Sequence, residues 1–85
     1  MTLDKLASKY IQKAERVFNV IEVPQETASI NVENVKQVID EAKRYLHDAK
    51  FYLEQGRFET SLGSVAYCEG LLDALRLLGL VDFSW

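Results

Sequence analysis

A single glycine, Gly56, interrupts what is otherwise one helical pattern running from Asn31 to Gly79. Before it, Val35, Val38, Ile39, Ala42, Tyr45, Leu46, Ala49, Tyr52 and Leu53 recur at helical spacing, so their side chains share one face while the charges lie opposite. After it, Val65, Cys68, Leu71, Leu72 and Leu75 do the same. Glycine adopts the positive φ that ends a helix, and two helices joined by so short a link must fold back antiparallel. The chain is therefore organised on a helical hairpin, spanning Ala49 to Gly79 around its turn.

The third helix, about 58–78, differs from the second in how far round it is apolar. Ala74, Tyr67 and Leu78 extend the arc of Val65, Cys68, Leu72 and Leu75 to about half the circumference, interrupted by Ser61 and Ser64. One neighbour cannot cover such an arc, so this helix is expected at the centre of the fold. Gly63 and Gly70 lie beside the arc, each costing about 1 kcal/mol relative to alanine within a helix. With Ala66 and Ala74 they form a shallow groove on one face. Tight packing inside the monomer is the first reading of that groove, and a seat for a partner helix is the second.

The remaining chain packs on this hairpin. From Leu3 to Ile21 apolar residues recur at three and four, predicting a first helix over about 3–21 with Thr2 as N-cap and Asp4 in its first turn. Lys5, Lys9, Lys13 and Arg16 line its opposite side, the expected solvated face. Pro24 breaks the periodicity, making 22–30 a connection anchored by Val23 and Ile30. Asn31 then caps the second helix, about 31–55. Beyond Gly79, Val81, Phe83 and Trp85 alternate with polar residues, an extended pattern expected to fold over the bundle end, or else to dock on another subunit.

At 85 residues, 48% hydrophobic and 27% charged, the chain has material for one ordered domain, 1–85, with a small core. Efficient packing or association with another chain must make up its stability. The net charge of -3 argues against sequence-independent nucleic-acid binding. One cysteine permits no internal disulfide, and no apolar run is long enough for a bilayer, so a cytoplasmic protein away from membranes is expected.

Groups for catalysis are sparse. His47 is the sole histidine and sits among Lys43, Arg44 and Lys50, which oppose metal binding, so it reads as a surface residue. No phosphate-cradling glycine loop or nucleophile triad is present, since Gly56, Gly63, Gly70 and Gly79 follow helix geometry. No cofactor, metal or small-molecule ligand is expected. Glu69 and Asp73 stand one turn apart with Arg76 three residues further on, and read first as a narrow solvent face, second as a polar contact with a partner.

The run from Tyr52 to Leu80, and above all Ala-Tyr-Cys-Glu-Gly-Leu-Leu-Asp-Ala-Leu from Ala66 to Leu75, resembles a small archaeal protein family of unknown function. That resemblance implies a helical bundle and an archaeal origin, and supplies no activity. The hairpin is also similar in shape to tetratricopeptide repeats, although no second copy follows, and in style to HEPN-type domains. Some HEPN-type proteins are ribonucleases with an Arg and a His four to six residues apart. Arg44 and His47 depart from that spacing, so the resemblance implies a member without the nuclease site.

Together these readings predict an all-α fold, a three-helix antiparallel bundle with the third helix central and a short apolar C-terminal tail. The expected function is a non-catalytic interaction or assembly module, partnered by another copy of itself or by a different protein. Its candidate surface comprises Gly63, Tyr67, Glu69, Gly70, Asp73, Phe83 and Trp85. The alternative is a small hydrolase or nucleic-acid-processing subunit using Glu69, Asp73 and the stripe of Lys5, Lys9, Lys13 and Arg16.

Overall fold

A computed structural model describes residues 1–23 and 31–85. Three helices, α1 (Leu3–Val20), α2 (Val32–Glu54) and α3 (Phe58–Leu77), account for most of them. The expected bundle is found, with bounds shifted by about a residue, the usual latitude of helix ends. The expected roles of Pro24 and Ile30 lie outside the described residues. None of the three helices is long and apolar enough to cross a membrane.

Each boundary has a local cause. Asn31 caps α2 by accepting a hydrogen bond from the Glu33 amide at 2.9 Å. Thr2 occupies the N-cap position of α1 but does not cap it: its hydroxyl donates to the Asp4 carboxylate instead of accepting from the backbone. At Gly56 (φ 75°), the Gly56 amide bonds the Leu53 carbonyl and the Arg57 amide bonds that of Tyr52, a Schellman closure. Gly79 (φ 74°) ends α3 the same way, with Leu80 N–H donating to the Leu75 carbonyl. Leu80, the residue after the second turn, is thereby aimed back at the bundle and buried.

α3 lies against both other helices and shares its larger interface with α2. One part of the core gathers Ile11, Ala14 and Val17 of α1, Ala42, Leu46 and Ala49 of α2, and Val65, Cys68 and Leu72 of α3. Alanines Ala7, Ala14, Ala42 and Ala49 are fully buried and allow the helices to approach closely. A second part forms at the other end, where Val35, Ile39 and Leu75 are closed over by Leu80 and Val81. Glu22 and Asp82 pair as a two-residue antiparallel bridge, with amide–carbonyl distances of 3.1 and 2.9 Å, and so tie the tail to the end of α1. The tail does fold over the bundle end, and its apolar residues then continue along the α1–α3 seam.

Ser61 overturns the idea of a polar interruption in the arc of α3. It is 0% exposed, and its Oγ donates to the Ala49 carbonyl oxygen of α2 at 2.6 Å. A serine is small enough for the close crossing next to Ala49 and brings its own partnered hydroxyl into the core.

Candidate functional site

The structure divides the seven candidate residues between two faces. Glu69, Asp73, Phe83 and Trp85 meet in the seam between α1 and α3. Gly63, Tyr67 and Gly70 stand on the outward face of α3.

The seam is built by the tail. The indole N–H of Trp85 donates to Asp73 Oδ1 at 2.8 Å, an oxygen that also accepts from Arg76 at 3.1 and 3.2 Å. Those bonds, Trp85 first and Arg76 second, hold the Asp73 carboxyl below its ordinary range. From α1, Lys13 Nζ lies 5.0 Å from the centre of the Trp85 ring, and Arg16 donates to the main-chain oxygen of Trp85 at 2.8 Å. Phe83 packs edge-on against the indole, ring centres 5.0 Å apart. Half of the basic stripe is thus not an independent solvated face. Lys13 and Arg16 hold the tail, while Lys5 and Lys9 remain exposed.

Glu69 and Asp73 are correspondingly not a narrow solvent face, because the tail and α1 leave both half-buried. Glu69 borders a cleft of about 350 Å³ lined also by Tyr10, Leu62, Val65 and Ala66. Its Oε1 is buried with no hydrogen-bond partner among the described residues, and that burial pushes the carboxyl up; Lys13 opposes the rise and Asp73 adds to it. Two carboxyls displaced in opposite directions suit acid–base chemistry. Here, however, the Asp73 oxygen is occupied by Trp85 and Arg76, and Asp73 does not line the cleft. The adjacent Cys68 thiol is sealed in the core, where burial, and then the neighbouring Glu69, push it up to about 12. It is not a nucleophile in the folded chain.

The outward face of α3 is of a different kind. Gly63, Ala66, Gly70 and Ala74 are exposed, and a Cβ added at Gly63 or Gly70 would meet nothing within 4 Å. The expectation that the groove is filled within the monomer is therefore wrong. The core is reached through Ser61, Val65, Cys68, Leu72 and Leu75, which puts the glycines on the far side of the helix. Large apolar side chains flank them: Tyr67 is 56% exposed, Leu77 77% and Leu78 68%. Tyr67 also stacks on Tyr45 of α2, ring centres 4.5 Å apart, so the apolar surface continues onto the edge of that helix. Sequence periodicity placed Tyr67, Ala74 and Leu78 in the buried arc because it measures the width of an arc and not which neighbours are present to cover it. His47 lies exposed, away from both faces.

Comparison with known proteins assigns the family. The chain belongs to the family described as "Protein of unknown function (DUF357)", whose model matches residues 9–81 and so takes in most of α1, all of α2 and α3, and Glu69 and Asp73 of the seam, while Phe83 and Trp85 lie beyond the match. No curated protein and no solved structure matches the chain.

Proposed function

We propose that the chain is a non-catalytic protein-interaction module that binds its partner through the outward face of α3. The observation that carries this reading is the exposure of Tyr67, Leu77 and Leu78 around two open glycines. A helix at the surface of a folded protein ordinarily turns charge to the solvent, as α1 does with Lys5 and Lys9 and α2 with Lys36, Asp40 and Lys43. Between Thr60 and Gly79 the outward face of α3 has no charged residue. Its four charges in the helix body and first turn, Glu59, Glu69, Asp73 and Arg76, sit at its start or turned toward α1. Contiguous exposed apolar surface of this sort marks protein contact sites. A non-catalytic role for the seam is supported by the engagement of Asp73, Lys13 and Arg16 in holding the tail.

Binding experiments with the wild-type chain and with Gly70→Glu and Leu77→Lys as bait test this reading. Both positions are exposed, so circular dichroism should confirm an unchanged fold. A partner captured by wild type and lost from both variants is expected. A partner retained by both would remove α3's outer face from the reading.

A further inference from the structure

We infer that the cleft at Glu69 is a pocket for a tryptophan side chain of a partner protein, with Glu69 Oε1 accepting its indole N–H. The pocket lies between α1 and α3 and so goes beyond the outward face. Three observations carry it: the cleft continues a seam that already holds such a side chain, its acceptor is unmet, and its charges turn other occupants away.

The tail enters the seam at the Glu22–Asp82 bridge and runs along it to Trp85, whose ring lies against Lys13 and whose N–H reaches Asp73. Tyr10 and Glu69 stand about one helical turn further on, before Lys13 and Asp73 in the two helices. With Leu62, Val65 and Ala66 they line the cleft of about 350 Å³, and no residue of the tail borders it. The cleft is thus the part of the seam that the tail does not reach.

The two places repeat one another chemically. Lys13 Nζ lies 5.0 Å from the centre of the Trp85 ring and 5.7 Å from that of Tyr10, so one ammonium borders both. In the filled place, Asp73 Oδ1 accepts from the indole at 2.8 Å. In the open one, Glu69 Oε1 is buried with no partner among the described residues. A buried acceptor without a donor costs free energy, which a donor carried on an apolar body relieves while covering Leu62, Val65 and Tyr10. The volume is that of a small-ligand pocket, and the exposed Ala66 leaves its mouth open to a partner.

Charge narrows the choice. A carboxylate entering the cleft would meet Glu69, and a lysine or arginine would meet Lys13, with Arg16 and Arg76 further along the seam. A neutral ring N–H meets neither obstacle, and its π face can take the Lys13 ammonium as Trp85 does. Tryptophan seated in a desolvated pocket is also among the residues that dominate protein contacts.

NMR titration of the isotope-labelled full chain at pH 7 with N-acetyltryptophanamide tests the inference. The amides of Leu62, Val65, Ala66 and Glu69 should shift to saturation with a dissociation constant of about 0.1–1 mM, as for a ligand of this size. The phenylalanine analogue, which lacks the donor, should bind about fivefold more weakly or worse, and Glu69→Leu should bring the tryptophan probe to the same level. Ala66→Phe fills the cleft from an exposed position and should abolish binding of both, with circular dichroism confirming the fold. No shift at the cleft residues up to about 10 mM probe overturns the inference, as does equal affinity for the tryptophan and phenylalanine analogues. Tighter binding of the tyrosine analogue, or of free indole, overturns the assignment to a tryptophan side chain. Movement of the indole N–H resonance of Trp85 away from its bonded position would place the probe in the tail's own seat and overturn it as well. These results bear on the cleft alone, so their failure is distinct from a failure of the outward face.

Discussion

Replacing Ser61 with alanine removes one oxygen from a buried contact between α2 and α3. The acceptor, the Ala49 carbonyl, belongs to the body of a helix and keeps its in-helix partner, so no buried group is orphaned. What is lost is the net value of one buried hydrogen bond, about 0.5–1.5 kcal/mol, plus the contacts of an oxygen-sized gap. Alanine returns up to about 0.5 kcal/mol through its better helix propensity. The balance is a destabilisation of about 0.5–1 kcal/mol. Ser61→Leu should cost more, about 1–3 kcal/mol, since a side chain at 0% exposure has no room for added carbons. Urea unfolding followed by circular dichroism at low micromolar protein measures both. With a slope of about 1 kcal/mol/M for a small domain, Ser61→Ala should lower the midpoint by about 0.5–1 M without changing the slope. Ser64→Ala, at a half-exposed position on the same helix, serves as control and should shift it little. An unchanged or raised midpoint for Ser61→Ala would refute the assignment of this hydroxyl as a tie between the two helices.

Three further outcomes are expected. The Asp73 carboxyl is held below its ordinary value of 3.8, so its bond to Trp85 stabilises the fold at pH above that value and is lost as pH falls through the lowered one. Fluorescence of Trp85, the one tryptophan, should therefore report release of the tail only below pH 3.8, and Asp73→Asn should abolish that transition; release already at pH 5 would contradict it. Glu69 is displaced the other way, above 4.5, so its charged form costs stability that appears as pH rises through the window above 4.5. Glu69→Gln should raise the melting temperature at pH 7 and make no difference at pH 4, and a penalty at pH 7 would show that the carboxylate is satisfied. Alanine at the two kinds of glycine should act with opposite sign: Gly56→Ala, at φ 75°, should destabilise by about 1 kcal/mol, while Gly63→Ala should stabilise the monomer by about 1 kcal/mol and weaken any association. Equal effects in chemical denaturation would overturn the distinction drawn between turn and helix-face glycines.

The architecture was legible because its signals are local. Asn31, Gly56 and Gly79 each act on the backbone within a turn of themselves, and the buried faces of α1 and α2 follow from spacing alone. The site was less legible because its chemistry depends on what sits across the gap. Lys13 and Arg16 read as surface cations until Trp85 is placed beside them, and Asp73 reads as solvated until the same indole reaches it. Ser61 carries no sequence sign that distinguishes it from Ser64, since only the nearness of the Ala49 carbonyl makes one structural. For α3, an arc too wide for one neighbour was visible, but which side of it would lack a cover was not.

The bridge between Glu22 and Asp82 gives the chain an order in time. α2 and α3, joined through Gly56, need only a short loop closed before their faces meet, whereas the end of α1 must await a residue far later in the chain. During vectorial synthesis α1 emerges before α2 and α3 and is completed last, its apolar side without a lasting partner until α3 and the tail after Gly79 have left the ribosome. The hairpin is thus the part that folds by itself in time, and α1 the part that has to be kept waiting.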